Sequence, residues 1–537
     1  MATLKSKINT HSEHFLSNQA AQNAAWQRVC EIEQLKLEKS NSAAEKFAKR
    51  KQLLPHERLN LLLDPGAPFL ELCPLAGYKM YDDKTGEQAG GGIIAGIGFI
   101  KKIRCLVVAN NSAIKGGTIS PMGLQKSLRL QRIAKDQKLP VITLAESGGA
   151  NLNYAAEVFV EGARGFANQA RLSAAGIPQI TVVHGNATAG GAYQPGLSDY
   201  VVLVKDRTQM FLAGPPLLKA ATGEIATEEA LGGGDLHART AGTGEYLADN
   251  DAHALQLTRA LVKTLNWPEA KCADLADIKA PHYPSTDLLG LVSASLKMPL
   301  DTLEVVARLA DDSDWMTFKN DWDQQTQCGW ISLYGHRCGV LGNNGPITPQ
   351  GAAKAAQFLQ LCEQTQRPVI FLHNTTGFQV GVEAESSGII KHGAKMLQAV
   401  ANLTVPKLSI VIGGSFGAGN YAMCGRGLDP DFIFAWPSSK TAVMGAEQAG
   451  KVMRIVAESK HKRRGLEPDP KVLDMIETTT RDNLDKTSDA IYGSARLWDD
   501  GLIHPAATRE ILGFLLDTIR QAREIKLTPN NFGVARF

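Results

Sequence analysis

The sequence predicts an α/β fold written twice along one chain. Three observations carry this expectation: strand-like and helix-like segments alternate, the alternation recurs at an offset of 228 residues, and each copy runs into a glycine-rich turn between a strand and a helix. ISPMGLQKSLRLQRIAKDQKLPVITLAESGGA, from Ile119, matches ITPQGAAKAAQFLQLCEQTQRPVIFLHNTTGF, from Ile347. The register sets Pro121 on Pro349, Lys126 on Lys354, Pro140 on Pro368 and Gly149 on Gly377. It continues without a gap through Pro178/Pro406, Gly185/Gly413, Gly191/Gly419 and Tyr193/Tyr421. Upstream, Arg104-Cys105 and Asn110-Asn111 match Arg337-Cys338 and Asn343-Asn344 at an offset of 233, so the first copy carries five extra residues around 113–117.

Taken in order, residues 21–51 are polar, charged and helix-forming. GFIKKIRCLVVANN is rich enough in β-branched and apolar residues for a strand pair. Ser120 and Thr348 are N-cap residues, each followed by proline at the first helical position. Leu124, Leu128, Leu130, Ile133 and Ala134 fall mostly at helical spacing, and their counterparts Ala352, Ala356, Phe358, Leu361 and Cys362 are also apolar. The proline-led segments LPVITLAES and RPVIFLHNT read as buried parallel strands, and IPQITVVHG and VPKLSIVIG as the strands that follow. A linker at 279–287, KAPHYPSTD, is expected to join two domains, 1–283 and 284–537.

A chain of 537 residues is too long for one core, and its 44% apolar content supplies material for two. Basic and acidic residues nearly balance, 57 against 54, which gives no electrostatic case for nucleic acid. No apolar run approaches the roughly 20 residues of a membrane-spanning helix. The eight cysteines form no CxxC pair, so neither a disulfide framework nor a metal site is expected. With no leader-like apolar core in MATLKSKINTHSEHF, the expected location is the cytoplasm.

The segments that carry chemistry are NATAGGAY at 186–193 and GGSFGAGNY at 413–421. The first N–H groups of a helix lack partners within it, and glycine lets the backbone approach a ligand. Two such N–H groups aimed at one oxygen make an oxyanion hole, worth roughly 3–4 kcal/mol per donor. Close helix–strand packing also calls for glycine, but recurrence at equivalent places favours the ligand-facing reading. Two holes suit a reaction in which two carbonyl groups acquire negative charge. GGSFG also satisfies GxSxG, a hydrolase nucleophile elbow, with His461 and His504 downstream. Against a serine hydrolase, the repeat sets Ala187 opposite Ser415, so the duplicated feature is the turn and not the serine.

ESGGANL, TAGGAY, FLAGPPLLKAATGE, NNGPI, TTGFQVG, KHGAK, IGGSFGAGNYAMCGR, MGAEQA and SARLWDDG resemble the motifs of biotin-dependent acyl-CoA carboxylase β subunits, from about Leu53 to the end of the chain. The resemblance implies two duplicated crotonase-like (ClpP/crotonase) domains and transfer of CO2 from carboxybiotin to an acyl-CoA. It assigns the thioester enolate to the backbone amides of Gly190 and Gly191, and the biotin enolate to those of Ala418 and Gly419. It also implies acyl-CoA contacts at Gly148, Gly149, Ala150 and Ala189, and biotin contacts at Thr376, Gly377, Phe378, Phe416 and Gly417. In the family's mechanism biotin takes the substrate proton, and neither turn is flanked by an obvious acid–base pair. Lys115, Gly116 and Gly117 exist only in the first copy and are expected at a CoA phosphate, the alternative being a solvated lysine in a loop.

TAGGAYQPG and GGSFGAGNYAMCGR resemble the methylcrotonyl-CoA and geranyl-CoA branch. Methylcrotonyl-CoA carboxylases usually carry a longer, more aromatic segment where this chain reads NYAAEVFVEGARGFA. Small residues there, Gly165 and Ala167 among them, leave room for a longer chain, so geranyl-CoA or a similar branched enoyl-CoA is expected. The competing readings are a propionyl-CoA-type carboxyltransferase, a biotin-dependent decarboxylase subunit and a non-catalytic assembly subunit. No GxxxxGK[ST] loop is present, and Lys297 in SLKM lacks the methionine that usually precedes a biotinylated lysine. Biotin and ATP are therefore expected on a partner, a biotin carboxylase/carboxyl carrier α subunit, with a β hexamer inside an α6β6 complex. His373, His392, Arg496, Trp498 and Asp499 read as structural, and KHKRRG as a solvated surface.

Overall fold

Along the main path of each sheet the strands neighbour one another in chain order, while short strands at Gln209–Phe211 and Lys440–Ala442 pair parallel to the ends of the strands that lead into the glycine turns. The computed structural model describes residues 2–271, 278–293, 298 and 300–535; Lys297 lies outside them. Helix α1 (Glu13–Asn41) and a short helix at Ala44–Lys49 account for the helix-forming N-terminal stretch.

In the first repeat, β1 (Ile93–Ile100) and β2 (Ile103–Asn110) pair antiparallel. Then come α2 (Pro121–Asp136), β3 (Val141–Ser147), α3 (Ala155–Ala174), β4 (Gln179–Thr188), α4 (Gly190–Gly196) and β5 (Tyr200–Val204). β2 to β5 are parallel neighbours in sequence order. The second repeat has the same plan: β6 (Thr326–Leu333) and β7 (His336–Asn343) antiparallel, then α5 (Pro349–Gln364), β8 (Val369–Thr375), α6 (Ile389–Asn402), β9 (Lys407–Phe416), α7 (Gly417–Ala422) and β10 (Phe432–Ala435). Even an irregularity is duplicated. The register of β3 on β4 shifts between Ala145 and Ser147, and that of β8 on β9 between His373 and Thr375. The shift sets Ser147 opposite Ala187 and Thr375 opposite Ser415, just before each glycine turn.

The helix starts form as the sequence requires. Ser120 Oγ accepts from Gly123 N–H at 3.0 Å, and Thr348 Oγ1 from Gly351 N–H at 2.8 Å. Each cap contributes about 1 kcal/mol. The repeated lysine also has a structural account. Lys126 Nζ donates to the carbonyls of Gly90 and Ile93, and Lys354 Nζ to those of Trp322 and Asp323, tying each first crossover helix to the segment ahead of the sheet. Both lysines are buried, and burial pushes Lys126 down to about 8.

Contacts divide the chain into two units, and the division is not contiguous. One comprises 31–272, 495–497 and 517–537, the other 1–30, 273–494 and 498–516. The segment at 279–287, expected to be a linker between domains 1–283 and 284–537, groups with the second unit. Asp287 there pairs with Arg308 at 3.1 Å, and the Lys279 carbonyl accepts from Arg509 at 2.9 Å. Among the described residues no helix is long and apolar enough to cross a membrane.

Two buried histidines make the fold acid-sensitive. Burial, aided by the Arg58 charge, lowers His184, whose Nδ1 lies 2.8 Å from Asp251. Burial takes His373, with Nδ1 3.0 Å from Ser415 Oγ, down to about 3 from the usual 6.5. His373 is therefore neutral in the folded chain, whereas the unfolded chain binds a proton on it below 6.5. Its stabilisation is thus complete above pH 6.5 and lost as pH falls, by about 1.4 kcal/mol per unit. The lowered His184 acts in the same direction. Asp251 acts lower: burial opposes ionisation, yet the His184 hydrogen bond and Arg58 hold its carboxyl at about 2, so its share is lost only below the usual 3.8. Urea-unfolding midpoints measured from pH 7 to 4.5 are expected to fall steadily, and His373→Asn to reduce the slope by one proton.

Candidate active site

Each glycine turn is built by a parallel strand that ends where the backbone must reverse into a helix. In the first, β4 ends at Thr188 and Ala189 takes φ 53°, ψ −125°, an unusual conformation for a non-glycine residue, held by its N–H bond to Phe211 O at 3.0 Å. Helix α4 then starts at Gly190. In the second, β9 ends at Phe416, Gly417 takes φ 54°, and Ala418 and Gly419 follow. Among the described residues no backbone carbonyl accepts from the N–H of Gly190, Gly191, Ala418 or Gly419. Gly190 and Ala418 are exposed, Gly191 is half-buried and Gly419 buried. A Cβ on Gly419 would lie 2.9 Å from Gly377 Cα and 3.0 Å from Thr375 Cγ2, so only glycine lets helix and loop approach this closely.

The loop after β3 packs against the five-residue insertion. Gly148 N–H donates to Gly116 O at 3.1 Å, Ser147 Oγ donates to Gly117 O at 2.8 Å, and Gly149 N–H donates to Ser147 Oγ at 3.1 Å. Ala150 forms a bridge with Ile119. The matching loop after β8 is closed the same way, with Gly377 N–H on Thr375 Oγ1 at 3.2 Å and a bridge from Phe378 to Ile347. Gly117 has φ 68°, and a Cβ there would strike the Glu146 carbonyl, so glycine is dictated. Its N–H bonds Ile114 O at 3.0 Å, which corrects the expectation that this amide is free for a phosphate. Lys115 is partly exposed and pairs with Asp82, holding the Asp82 carboxyl below the usual carboxylate range.

Beneath the first loop lies a buried cluster assembled from distant positions. Glu146 Oε2 accepts from Arg58 Nη1 at 2.6 Å and Ser112 Oγ at 2.8 Å, Gln52 Nε2 reaches Oε1 at 3.2 Å, and Arg58 Nε continues to Asp251 at 3.1 Å. These bonds brace the start of the insertion against β3. No sequence motif marks them. Phe166 was also not foreseen: its ring lies against the Gly190 position and meets Tyr193 edge-on, with centroids 5.9 Å apart. Its neighbours Gly165 and Ala167 are half-buried on α3, and the Gly165 carbonyl accepts from Gln131 Nε2 at 3.0 Å.

Beside α7 is a groove of about 530 Å³, lined by Gly417, Ala418, Tyr421, Val443, Trp498 and Asp499 among others. Trp498 and Asp499, read from sequence as purely structural, are therefore groove residues as well. Asp499 accepts from Ser494 Oγ at 2.7 Å and Gly501 N–H at 3.0 Å, while burial pushes its carboxyl up to about 7. Thr376 is exposed and Phe378 half-buried against Gly393. The Phe416 ring departs from the expected ligand contact: it is 6% exposed and packs over Gly414, closing the end of its strand.

The hydrolase alternative fails on geometry. Ser415 sits within β9 rather than on the turn, is 0% exposed, and accepts from Asn420 Nδ2 at 2.8 Å. His461 bonds the carbonyl of Ala457 one turn back on its own helix, and His504 lies edge-on to Trp26.

Residues 47–535 match the family described as the carboxyl transferase domain. The biotin-dependent 3-methylcrotonyl-coenzyme A carboxylase β1 subunit of Mycobacterium tuberculosis is 44% identical, over 92% of this chain and 93% of that protein. A propionyl-CoA carboxylase β chain of Cereibacter sphaeroides is 32% identical over 75% of this chain and 81% of its own length. The crystal structure of the Pseudomonas aeruginosa geranyl-CoA carboxylase β subunit covers all of both chains at 61% identity, with a TM-score of 0.94. The duplicated fold, the paired turns and these likenesses agree: the chain belongs to the carboxyl transferase family and is the carboxyltransferase β subunit of a biotin-dependent acyl-CoA carboxylase.

Proposed function

We propose that the chain transfers a carboxyl group to a branched 3-methyl-2-enoyl-CoA, with geranyl-CoA preferred over 3-methylcrotonyl-CoA and both over propionyl-CoA. The observation that carries this reading is the pair of unpartnered backbone amides at equivalent turns. Identity of 61% to a geranyl-CoA carboxylase β subunit, against 32% to a propionyl-CoA carboxylase β chain, supports the choice of acyl group.

In this reading the half comprising 1–283 receives the acyl-CoA. As the γ-carbon gives up a proton to the biotin that has released CO2, the N–H groups of Gly190 and Gly191 hold the thioester oxygen that gains negative charge, and conjugation leaves that charge at the γ-carbon where the new C–C bond forms. Gly148, Gly149 and Ala150 line the thioester side, with Ala189, Gly165 and Ala167 around the acyl group. Lys115 leaves Asp82 for a CoA phosphate, with Gly116 and Gly117 shaping the turn. The half comprising 284–537 receives biotin. The exposed Ala418 and the open groove beside it suit a ureido carbonyl, with Thr376, Gly377, Phe378 and Gly417 around it. Biotin, carried on the α subunit and charged there at the expense of ATP, supplies the carboxyl group. Gly419 fixes the second turn by its contact with Gly377, so donor positions are preset before substrate arrives. A hexamer of β within an α6β6 complex is the expected assembly.

Co-expression with a biotin carboxylase/carrier subunit tests the reading directly. Co-purification of a biotinylated companion and ATP-dependent fixation of labelled bicarbonate into geranyl-CoA are expected. Preference for propionyl-CoA, or turnover only in the decarboxylating direction, refutes it. Ala418→Pro removes one donor at a helix start, where proline is tolerated, and is expected to lower kcat roughly a hundredfold with the urea midpoint retained. Lys115→Ala is expected to raise the KM for acyl-CoA roughly tenfold at constant kcat, by loss of one charge-assisted bond. Asp82→Asn, which releases the lysine, should lower that KM.

A further inference from the structure

The first repeat contains a cavity of about 150 Å³ between its sheet and the helices α2, α3 and α4, with Ser147 and Gly191 in its lining. The second repeat fills the matching space. Thr143 corresponds to Phe371, Leu130 to Phe358, Gln131 to Leu359 and Gln169 to Leu397 at the offset of 228. Phe358, Leu359 and Phe371 are fully buried in one core cluster, with Leu397 packed against it. One copy of a duplicated packing layer thus carries smaller or more polar side chains where the other has large apolar ones. Since an unfilled interior costs stability in proportion to its volume, a hollow kept in one copy alone points to an occupant.

The lining suits an apolar guest despite its glutamines, whose polar ends are engaged elsewhere. Gln131 donates to Gly165 O at 3.0 Å and accepts from Asn168 at 3.1 Å; Gln169 donates to Gln194 O at 2.8 Å, and Gln194 to Thr181 Oγ1 at 2.9 Å. No lining side chain is among the buried polar groups without a partner. The remaining wall is aliphatic, from Leu106, Val108, Leu130, Val141 and Leu172. A cavity of about 150 Å³ accepts a benzene-sized molecule, which is the size of one isoprene unit. Geranyl differs from 3-methylcrotonyl by one such unit.

We propose that this cavity is the subsite for the distal isoprenoid end of the acyl chain, entered past Gly191 while the thioester stays at the turn. The inference rests on the first repeat being the acyl-CoA half. It places chain-length selection on the inner faces of α2 and α3, at Leu130, Gln131 and Thr143, and not only on the small residues of α3.

The test is the ratio of kcat/KM for geranyl-CoA over 3-methylcrotonyl-CoA, measured on the complex of this chain with its biotin-carrying partner. Thr143→Phe and Leu130→Phe install the second repeat's own side chains, and each is expected to lower the ratio roughly tenfold or more. Ala145→Val, a smaller filling at the same wall, carries the test with the same criterion should the phenylalanine variants fail to fold. A ratio that does not move, or equal loss for both substrates, overturns the subsite. So does a wild-type complex that carboxylates 3-methylcrotonyl-CoA and rejects geranyl-CoA, which leaves the carboxyltransferase reading standing. A wild-type complex active on neither sinks the functional reading itself.

Discussion

A peptide N–H at the start of a helix has no acceptor within that helix, and the proposed function depends on leaving such groups open at two places. The open N–H must be aimed as well as free. In the second half the aim is set by contact between backbones: Gly419 lies so close to Gly377 that a single added carbon would fall 2.9 Å from its Cα. The Gly377 loop is in turn held by Thr375, brought opposite Ser415 by the register shift in β8. In the first half Ala189 accepts a positive φ for the same purpose, held by the bond from its N–H to Phe211. The helix direction follows from the strand, and the strand from the sheet.

The legible part of this molecule was the part that repeats. Ser120 and Thr348 cap their helices because a short hydroxyl before proline has few other uses, and the structure shows each accepting from the third residue on. The strands read correctly because a parallel sheet covered on both faces needs continuous β-branched and aliphatic runs. Lys126 and Lys354 stood out at equivalent positions without a stated reason. The reason is that each satisfies two carbonyls of the preceding segment, a bond set whose acceptors have no side-chain signature.

What stayed hidden depends on long-range encounter. Arg58, Ser112, Glu146, His184 and Asp251 form one buried network, yet nearly two hundred residues of chain separate its ends. Nothing in local pattern distinguishes Arg58 from a surface arginine. The grouping of the first thirty residues with the second unit was equally invisible, since composition marks linkers and not docking partners. Trp498 and Asp499 were read only in part, for a related reason. A residue beside a groove looks, in sequence, like one that packs a helix, and these two do both.

Because the proposed donors belong to the backbone, the side chains around them were free to diverge after duplication. Glu146 and Asn374 occupy equivalent strand positions, as do His184 and Ile412, and they support unlike networks under the same turn geometry. A site whose chemistry lay in side chains could not be rebuilt this way without losing its reactive group. Here one copy has Thr143 and Leu130 where the other has the buried Phe371 and Phe358, while Gly191 and Gly419 stand in register. Duplication of a backbone-borne site therefore lets two halves acquire different ligands at small cost to the shared chemistry. The insertion at 113–117 is a second instance: it is added at a loop, pinned by Gly148 and Ser147, and leaves the turn beyond β4 undisturbed.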